Sequence, residues 1–168
     1  MYKVCKIIEG IIRHFKIIAK KIYYKIKYRN NLIIEKNVSF RKGFIINMTP
    51  KAKLIIGEGS FFNNYCTINV HEYIKIGKNN EFGEGVKIYD HNHIFNDKSI
   101  DMKHSFKTNQ VLIGDNNWIG SNCVILSKAV IGSNNVFSAG SIINQTFSNE
   151  NIIKYDQNFK IEKIKYKE

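Results

Sequence analysis

The chain has little proline, few cysteines and no long apolar run. One proline, Pro50, in 168 residues of which 43% are hydrophobic excludes a disordered or collagen-like chain. The three cysteines, Cys5, Cys66 and Cys123, are scattered, with no CxxC pair and no even-numbered framework. That excludes a disulfide scaffold and fits free thiols in a reducing compartment. Apolar runs fall far short of the roughly 20 residues that span a bilayer as a helix. A basic region, an apolar core and a small-residue cleavage site do not occur in that order, so no secretory signal is expected and the location read from the sequence is cytoplasmic. The length suits about one domain with a real core.

What is present divides into two zones. The net charge is +12, but residues 1–29 hold seven Lys, two Arg and one Glu, a net +8, which leaves +4 for everything after. The basic character therefore belongs to the N-terminal segment. Residues 2–28 read as an amphipathic helix, with Val4, Ile7, Ile8, Ile11, Ile12, Phe15, Ile18, Ile22 and Ile26 at three- and four-residue steps and Lys6, Arg13, Lys16, Lys20 and Lys27 mostly between them. Gly10 weakens that helix by about 1 kcal/mol. Two readings follow. The helix packs its isoleucines on the following domain, or it lies on a membrane surface, at the inner face of the cytoplasmic membrane. Charge alone also suits nucleic acid, but no recognition motif accompanies it, so no nucleic-acid partner is expected.

From residue 32 the helical period stops and a six-residue period begins. Ile113, Ile119, Ile125, Ile131, Phe137 and Ile143 occupy six successive sixth positions. Gly114, Gly120 and Gly132 each follow one of them, Cys123, Ala129 and Ser141 take the fifth place with small side chains, and Val124, Val130, Val136 and Ile142 take the sixth. The same phase appears earlier in sets that begin at Ile34, Ile56 and Ile76. A hexapeptide repeat has a physical meaning: each unit is a short strand plus a corner, and three make one triangular coil whose inward residue is apolar. Glycine permits backbone angles closed to other residues at such corners. Coils stack about 4.8 Å apart, so each strand pairs with those above and below. A solenoid of this kind needs protected ends. The expected division is residues 1–31 as a basic amphipathic helix, 32–144 as the β-helix with a loop protruding at about 89–112, and 145–168 as a C-terminal cap.

That loop is the one large break in the period. After Ile88 the next clear repeat residue is Ile113, a gap of 25 residues where six are due. A long loop on a regular scaffold is usually functional. It opens with Tyr89-Asp90-His91-Asn92-His93, and His104 follows.

The run Ile113-Gly-Asp-Asn-Asn-Trp-Ile-Gly-Ser-Asn-Cys-Val-Ile-Leu-Ser-Lys-Ala-Val-Ile-Gly-Ser-Asn-Asn-Val-Phe-Ser-Ala-Gly-Ser141 resembles the signature of the hexapeptide-repeat acyltransferases, the galactoside, maltose and serine acetyltransferase superfamily. The period does not set handedness, and parallel crossovers are normally right-handed. The resemblance implies a left-handed parallel β-helix, a homotrimer, and transfer of an acetyl group from acetyl coenzyme A to an acceptor. His91 stands where the family places its catalytic histidine, and an imidazole suits the general base that an alcohol nucleophile needs. His93 is a rival for that role or an acceptor contact. Asp90 would orient His91, although adjacent strand residues point opposite ways. Carried over residue by residue, the resemblance implies acetyl coenzyme A contacts at Trp118, Ser121 and Ala139, where a backbone N–H near Ser121 would stabilise the oxyanion, and phosphate contacts at Lys160 and Lys163. It implies acceptor contacts at Asn63 and His71. The chain departs from the family after Ser141, where Ile143-Asn144-Gln145-Thr146 replaces the usual Val-Thr-Lys-Asp and Asp156-Gln157-Asn158 replaces a Gly-x-Pro turn.

The function so implied is O-acetylation of a sugar hydroxyl in capsule, lipopolysaccharide or exopolysaccharide synthesis, by direct attack with His91 as base. The alternatives are an amino-sugar N-acetyltransferase, a non-catalytic structural trimer, and a zinc enzyme of the γ-carbonic anhydrase kind using His71, His91 and His93. The spacing of two histidines five apart that the last requires is missing, so no metal is expected.

Overall fold

A computed structural model describes residues 2–154. After the helix Tyr2–Tyr28 and a 3₁₀ turn at Arg29–Asn31, the chain winds as a solenoid of short strands that form three walls. Wall 1 stacks Leu32–Ile34, Lys53–Ile56, Tyr73–Ile76, Val111–Ile113, Val130–Ile131 and Thr146–Phe147. Wall 2 stacks Ser39–Phe40, Phe61–Phe62, Glu81–Phe82, Trp118–Ile119, Val136–Phe137 and Ile152–Ile153. Wall 3 stacks Ile45–Met48, Thr67–Val70, Lys87–Tyr89, Val124–Ile125 and Ile142–Ile143. Neighbours within each wall pair in parallel, and the solenoid matches a left-handed β-helix of about six turns.

The six-residue period explains the core directly. Each repeat contributes one side chain to the axis of the prism, and Ile113, Ile119, Ile125, Ile131, Phe137 and Ile143 are all at most 3% exposed. In the lower coils the columns carry phenylalanines, which stack in series from Phe40 to Phe44, Phe62 and Phe82 at ring-centroid separations of 4.5–4.9 Å. The small fifth-place residues Cys66, Cys123, Ala129 and Ser141 are buried where walls meet. Burial pushes the Cys66 thiol up to about 11, so it is an inert packing group.

Gly43, Gly59, Gly85 and Gly140 take the left-handed backbone expected of corner glycines, whereas the glycines that follow the inward residue have another reason to be there. At the 1–2 corner Gly77, Gly114 and Gly132 are required by crowding: a Cβ on Gly77 or Gly114 would lie 2.5–2.7 Å from the backbone of the next glycine in the column. The left-handed backbone falls two residues later, on Asn79, Asn116 and Asn134 with φ of 52–59°. Asparagine tolerates that region better than other side chains. The following residue turns inward, and Asn80, Asn117 and Asn135 form a buried ladder. Asn117 N–H donates to Asn80 Oδ1 at 2.9 Å, Asn135 N–H to Asn117 Oδ1 at 2.8 Å, and Asn151 N–H to Asn135 Oδ1 at 2.9 Å. Asn135 Nδ2 is the one buried side-chain nitrogen or oxygen without a partner among the described residues.

The helix meets the first coil through polar atoms. Tyr24 Oη accepts the Ile46 N–H at 3.0 Å, Tyr28 Oη donates to the Ile46 carbonyl at 2.9 Å, and the Lys20 ammonium donates to the Phe44 carbonyl. Ile46 lies on the strand at the open edge of wall 3. The helix therefore supplies partners to an edge that has no further coil beneath it. Tyr24 is 4% exposed and packs with the core, and Ile17 lies against it. The isoleucine stripe picked out by the sequence does not make this contact: Ile8, Ile11, Ile18, Ile22 and Ile26 are 42–72% exposed. The helix does pack on the domain, but through Tyr24, Tyr28 and Ile17 and not through those stripe isoleucines.

Candidate functional site

The break in the repeat lies at the corner between wall 3 and wall 1. Lys87–Tyr89 ends, Asp90 bends the chain, and His91–His93 leaves the solenoid to pair antiparallel with Phe106–Thr108. The protruding segment is thus a β-hairpin, with His91 opposite Thr108 and His93 opposite Phe106. The Asn109 N–H closes its base on the Asp90 carbonyl at 2.8 Å. The Asn92 amide donates to Ser127 Oγ, one coil above, at 2.9 Å.

The bend at Asp90 removes the objection that neighbours on a strand diverge. The Asp90 carboxylate is fully buried and turns back to accept from three donors: the His71 N–H at 2.8 Å, the Glu72 N–H at 2.7 Å and His91 Nδ1 at 3.1 Å. A carboxylate only accepts, so His91 carries its proton on Nδ1 and keeps a lone pair on Nε2. His71, from the coil below, lies flat on His91 with ring centroids 3.6 Å apart and 16° between planes. Phe106 stands edge-on to both rings, at 4.4 Å from His71 and 5.3 Å from His91. Burial, then the neighbouring His91, hold the His71 imidazole below its ordinary value, so it stays neutral beside His91.

His93 shares the hairpin face with His91 and packs on Phe106 at 4.6 Å, but its Nδ1–H donates to the Met102 carbonyl at 2.7 Å. It braces the loop through that bond. Asp101 and His104 pair at 2.6 Å in the exposed loop between the hairpin strands. Among the described residues no group of three His, Cys, Asp or Glu side chains could hold a metal ion.

The residues named for acetyl coenzyme A lie elsewhere on the prism. Trp118 projects from wall 2 at 58% exposure, between Glu81 and Val136 in register. Ser121 and Ala139 stack at the 2–3 corner, where a Cβ on Gly120 would lie 2.6 Å from the Ala139 nitrogen. Asn63 belongs to the same column of corners, following Phe62 in wall 2, and its Oδ1 accepts the Asn64 N–H at 2.8 Å. One chain thus brings His71, Asp90, His91 and His93 together at the 3–1 corner, and Asn63, Trp118, Ser121 and Ala139 along the 2–3 corner and its wall. It does not join the two sets. Lys160 and Lys163 lie outside the described residues.

The sequence reading missed Phe106 and the asparagine ladder. Both had a signal. Phe106 and Thr108 alternate as His91 and His93 do, which is the period of a hairpin. The ladder follows a recurrent Gly-x-Asn-Asn at 77–80, 114–117 and 132–135.

Residues 110–145 match the family described as bacterial transferase hexapeptide (six repeats). Among solved structures, a hexapeptide-repeat-containing acetyltransferase from Vibrio cholerae is 21% identical, with a TM-score of 0.63 over 73% of this chain and 68% of that one. A maltose O-acetyltransferase from Clostridium difficile 630 is 24% identical, with a TM-score of 0.62 over 76% of this chain and 67% of that one. A galactoside acetyltransferase in complex with coenzyme A is 21% identical, with a TM-score of 0.57 over 76% of this chain and 74% of that one. At these identities the likeness establishes the fold. Repeat, triangular coil and the match over residues 110–145 together show a left-handed β-helix built of hexapeptide repeats.

Proposed function

We propose that this protein is an acetyl coenzyme A-dependent O-acetyltransferase of sugar hydroxyls, acting in capsule, lipopolysaccharide or exopolysaccharide synthesis, with His91 as general base. The observation that carries this reading is the Asp90–His91 pair at the one long break in the repeat. The buried carboxylate holds the Nδ1–H tautomer and the orientation of the ring, so that Nε2 is presented to the acceptor. The sugar oxygen attacks the thioester carbonyl carbon, and its proton passes to His91 Nε2. The tetrahedral intermediate collapses with cleavage of the C–S bond, and the imidazolium returns the proton to the departing thiolate. A base suffices here, because the thioester is already activated and no covalent enzyme intermediate is needed.

The division of the site residues between two corners supports a homotrimer. In it the 2–3 corner of one protomer, with Trp118, Ser121 and Ala139, faces the 3–1 corner of the next, with His91. Acetyl coenzyme A as acyl donor would then lie between subunits, its phosphates toward Lys160 and Lys163. Asn63, His71 and His93 are assigned to the acceptor side. The names of two similar structures, a maltose and a galactoside acetyltransferase, favour a sugar as the acceptor.

The deciding experiment is release of free thiol from acetyl coenzyme A against a panel of sugars, with His91→Ala beside the native protein. Sugar-dependent thiol release that vanishes in the variant is the expected result. Activity retained in His91→Ala removes the base assignment, and no release with any sugar removes the acceptor class.

A further inference from the structure

We propose that the N-terminal helix holds the protein on an anionic lipid bilayer, lying in the plane of the surface with its isoleucine stripe buried among the lipids. The proposal does not rest on the acyl-transfer reading.

The helix has two faces that do different things. At about 100° per residue, Ile17, Tyr24 and Tyr28 share one side, and these meet the solenoid. Ile8, Ile11, Phe15, Ile18, Ile22 and Ile26 fall within an arc of about 100° on the opposite side. They are 42–72% exposed, which leaves a continuous apolar strip along a 27-residue helix uncovered by the other described residues. A strip of that size on a soluble surface marks an interaction face. Among the described residues no helix is long and apolar enough to cross a membrane, so this one lies on a surface and does not span it.

Charge identifies the occupant. Lys21 and Lys25 follow one border of the strip, and Lys16 and Lys27 follow the other. Tyr23, 54% exposed, stands at the second border with the Lys27 ammonium 5.8 Å from its ring centroid. Apolar residues between two rows of lysines, with a tyrosine at the edge, form the pattern of an interfacial helix whose cations reach the headgroups. Residues 1–29 carry a net +8, so a second copy placed strip to strip would bring two such charges together. An anionic bilayer covers the strip and neutralises the lysines at once.

The strip also runs into a groove between the helix and the first coil. Its volume is about 680 Å³, and Ile12, Phe40, Lys16, Lys20, Arg41 and Lys42 line it, with Glu9 as the one acid. Ile12 belongs to both strip and groove. A lipid phosphate at the helix flank therefore meets further cations beside an apolar wall.

The test is co-sedimentation of the full chain with phosphatidylcholine vesicles made with and without phosphatidylglycerol. Binding to the phosphatidylglycerol vesicles that weakens as salt is raised is expected. The exposed-strip variant Phe15→Ser/Ile18→Ser should bind about tenfold or more weakly, and Lys16→Glu/Lys25→Glu should lose a similar factor. Both should keep the helical circular dichroism of the native chain. Absence of binding at low salt overturns the proposal, as does a strip variant that binds like the native chain. It is also overturned if sedimentation velocity shows Phe15→Ser/Ile18→Ser to be a smaller assembly while neither protein binds vesicles. The strip would then be an interface between copies.

Discussion

Two corners of the same prism carry buried polar side chains, and they have been put to opposite use. At the 1–2 corner three successive coils turn an amide inward, and Asn80, Asn117 and Asn135 hand hydrogen bonds from one coil to the next. Each donor and acceptor, apart from Asn135 Nδ2, is answered by a neighbour in the column or by a backbone carbonyl of the corner, so the column is closed and chemically quiet. At the 3–1 corner the repeat lapses. Asp90 is buried as deeply as those amides, but its third donor is a side chain that reaches the surface. A periodic corner satisfies its polar groups by repetition and has none left over for chemistry. An interrupted corner must borrow a partner, and the partner it borrows is the imidazole of His91.

This contrast can be broken experimentally, and the expected effects differ in kind as well as in size. Replacement of His91 by alanine should remove about 10³- to 10⁴-fold of kcat while circular dichroism and melting temperature stay close to native, because His91 lies outside the core. Asp90→Asn keeps the shape but offers His91 an amide in place of a carboxylate. A fall in kcat of about 10²-fold with little change in KM for acetyl coenzyme A is expected, and partial rescue by Asp90→Glu would mark the loss as one of orientation and charge. Asp90→Ala should in addition lower stability, since the His71 and Glu72 N–H groups lose their acceptor.

The other corner should answer only in stability. Asn117→Ala leaves the Asn135 N–H and the Gly132 carbonyl without the partners they have now, at a cost of about 1–3 kcal/mol in chemical denaturation. Its kcat at low temperature should be unchanged. A large loss of activity in this variant would show that the two corners are coupled after all. The smallest effect concerns pH. His71 has its folded value lowered by burial, so above its ordinary value of 6.5 both folded and unfolded chains hold it neutral. Below 6.5 the unfolded chain takes up the proton first, and stability is lost as pH falls toward the folded value. Thermal melts should therefore show a modest acid-side decline that is reduced in His71→Phe.

The fold was legible because the repeat is local. An inward residue every six positions is demanded by the strand-and-corner unit itself, whatever lies above or below, and Ile113 through Ile143 are buried as that period requires. The site was legible in part. His91 stood out because the period fails beside it, and Asp90 was named as its partner only against the alternation of a strand. Asp90 reaches His91 only because the chain bends at the corner, and His71 reaches it only because the coils stack, bringing residues 20 apart in sequence to a ring separation of 3.6 Å. Trp118, Ser121 and Ala139 occupy the repeat positions read for them, yet their distance from His91 around the prism could not be read from a period.

The helix shows the same boundary. Hydrophobic periodicity alone established that residues 2–28 form an amphipathic helix, and the six-residue period alone established the triangular coil that follows. Which face of the helix meets that coil was decided by the tertiary structure. The first coil ends in unpaired N–H and C=O groups, and only side chains with hydroxyl or ammonium groups, Tyr24, Tyr28 and Lys20, can satisfy them. Isoleucines cannot, so they are left facing outward. A repeating pattern specifies the interior of an element, because each residue there meets the same surroundings. Ends, corners and interruptions meet surroundings built by distant parts of the chain, and those exist only once the coils have stacked.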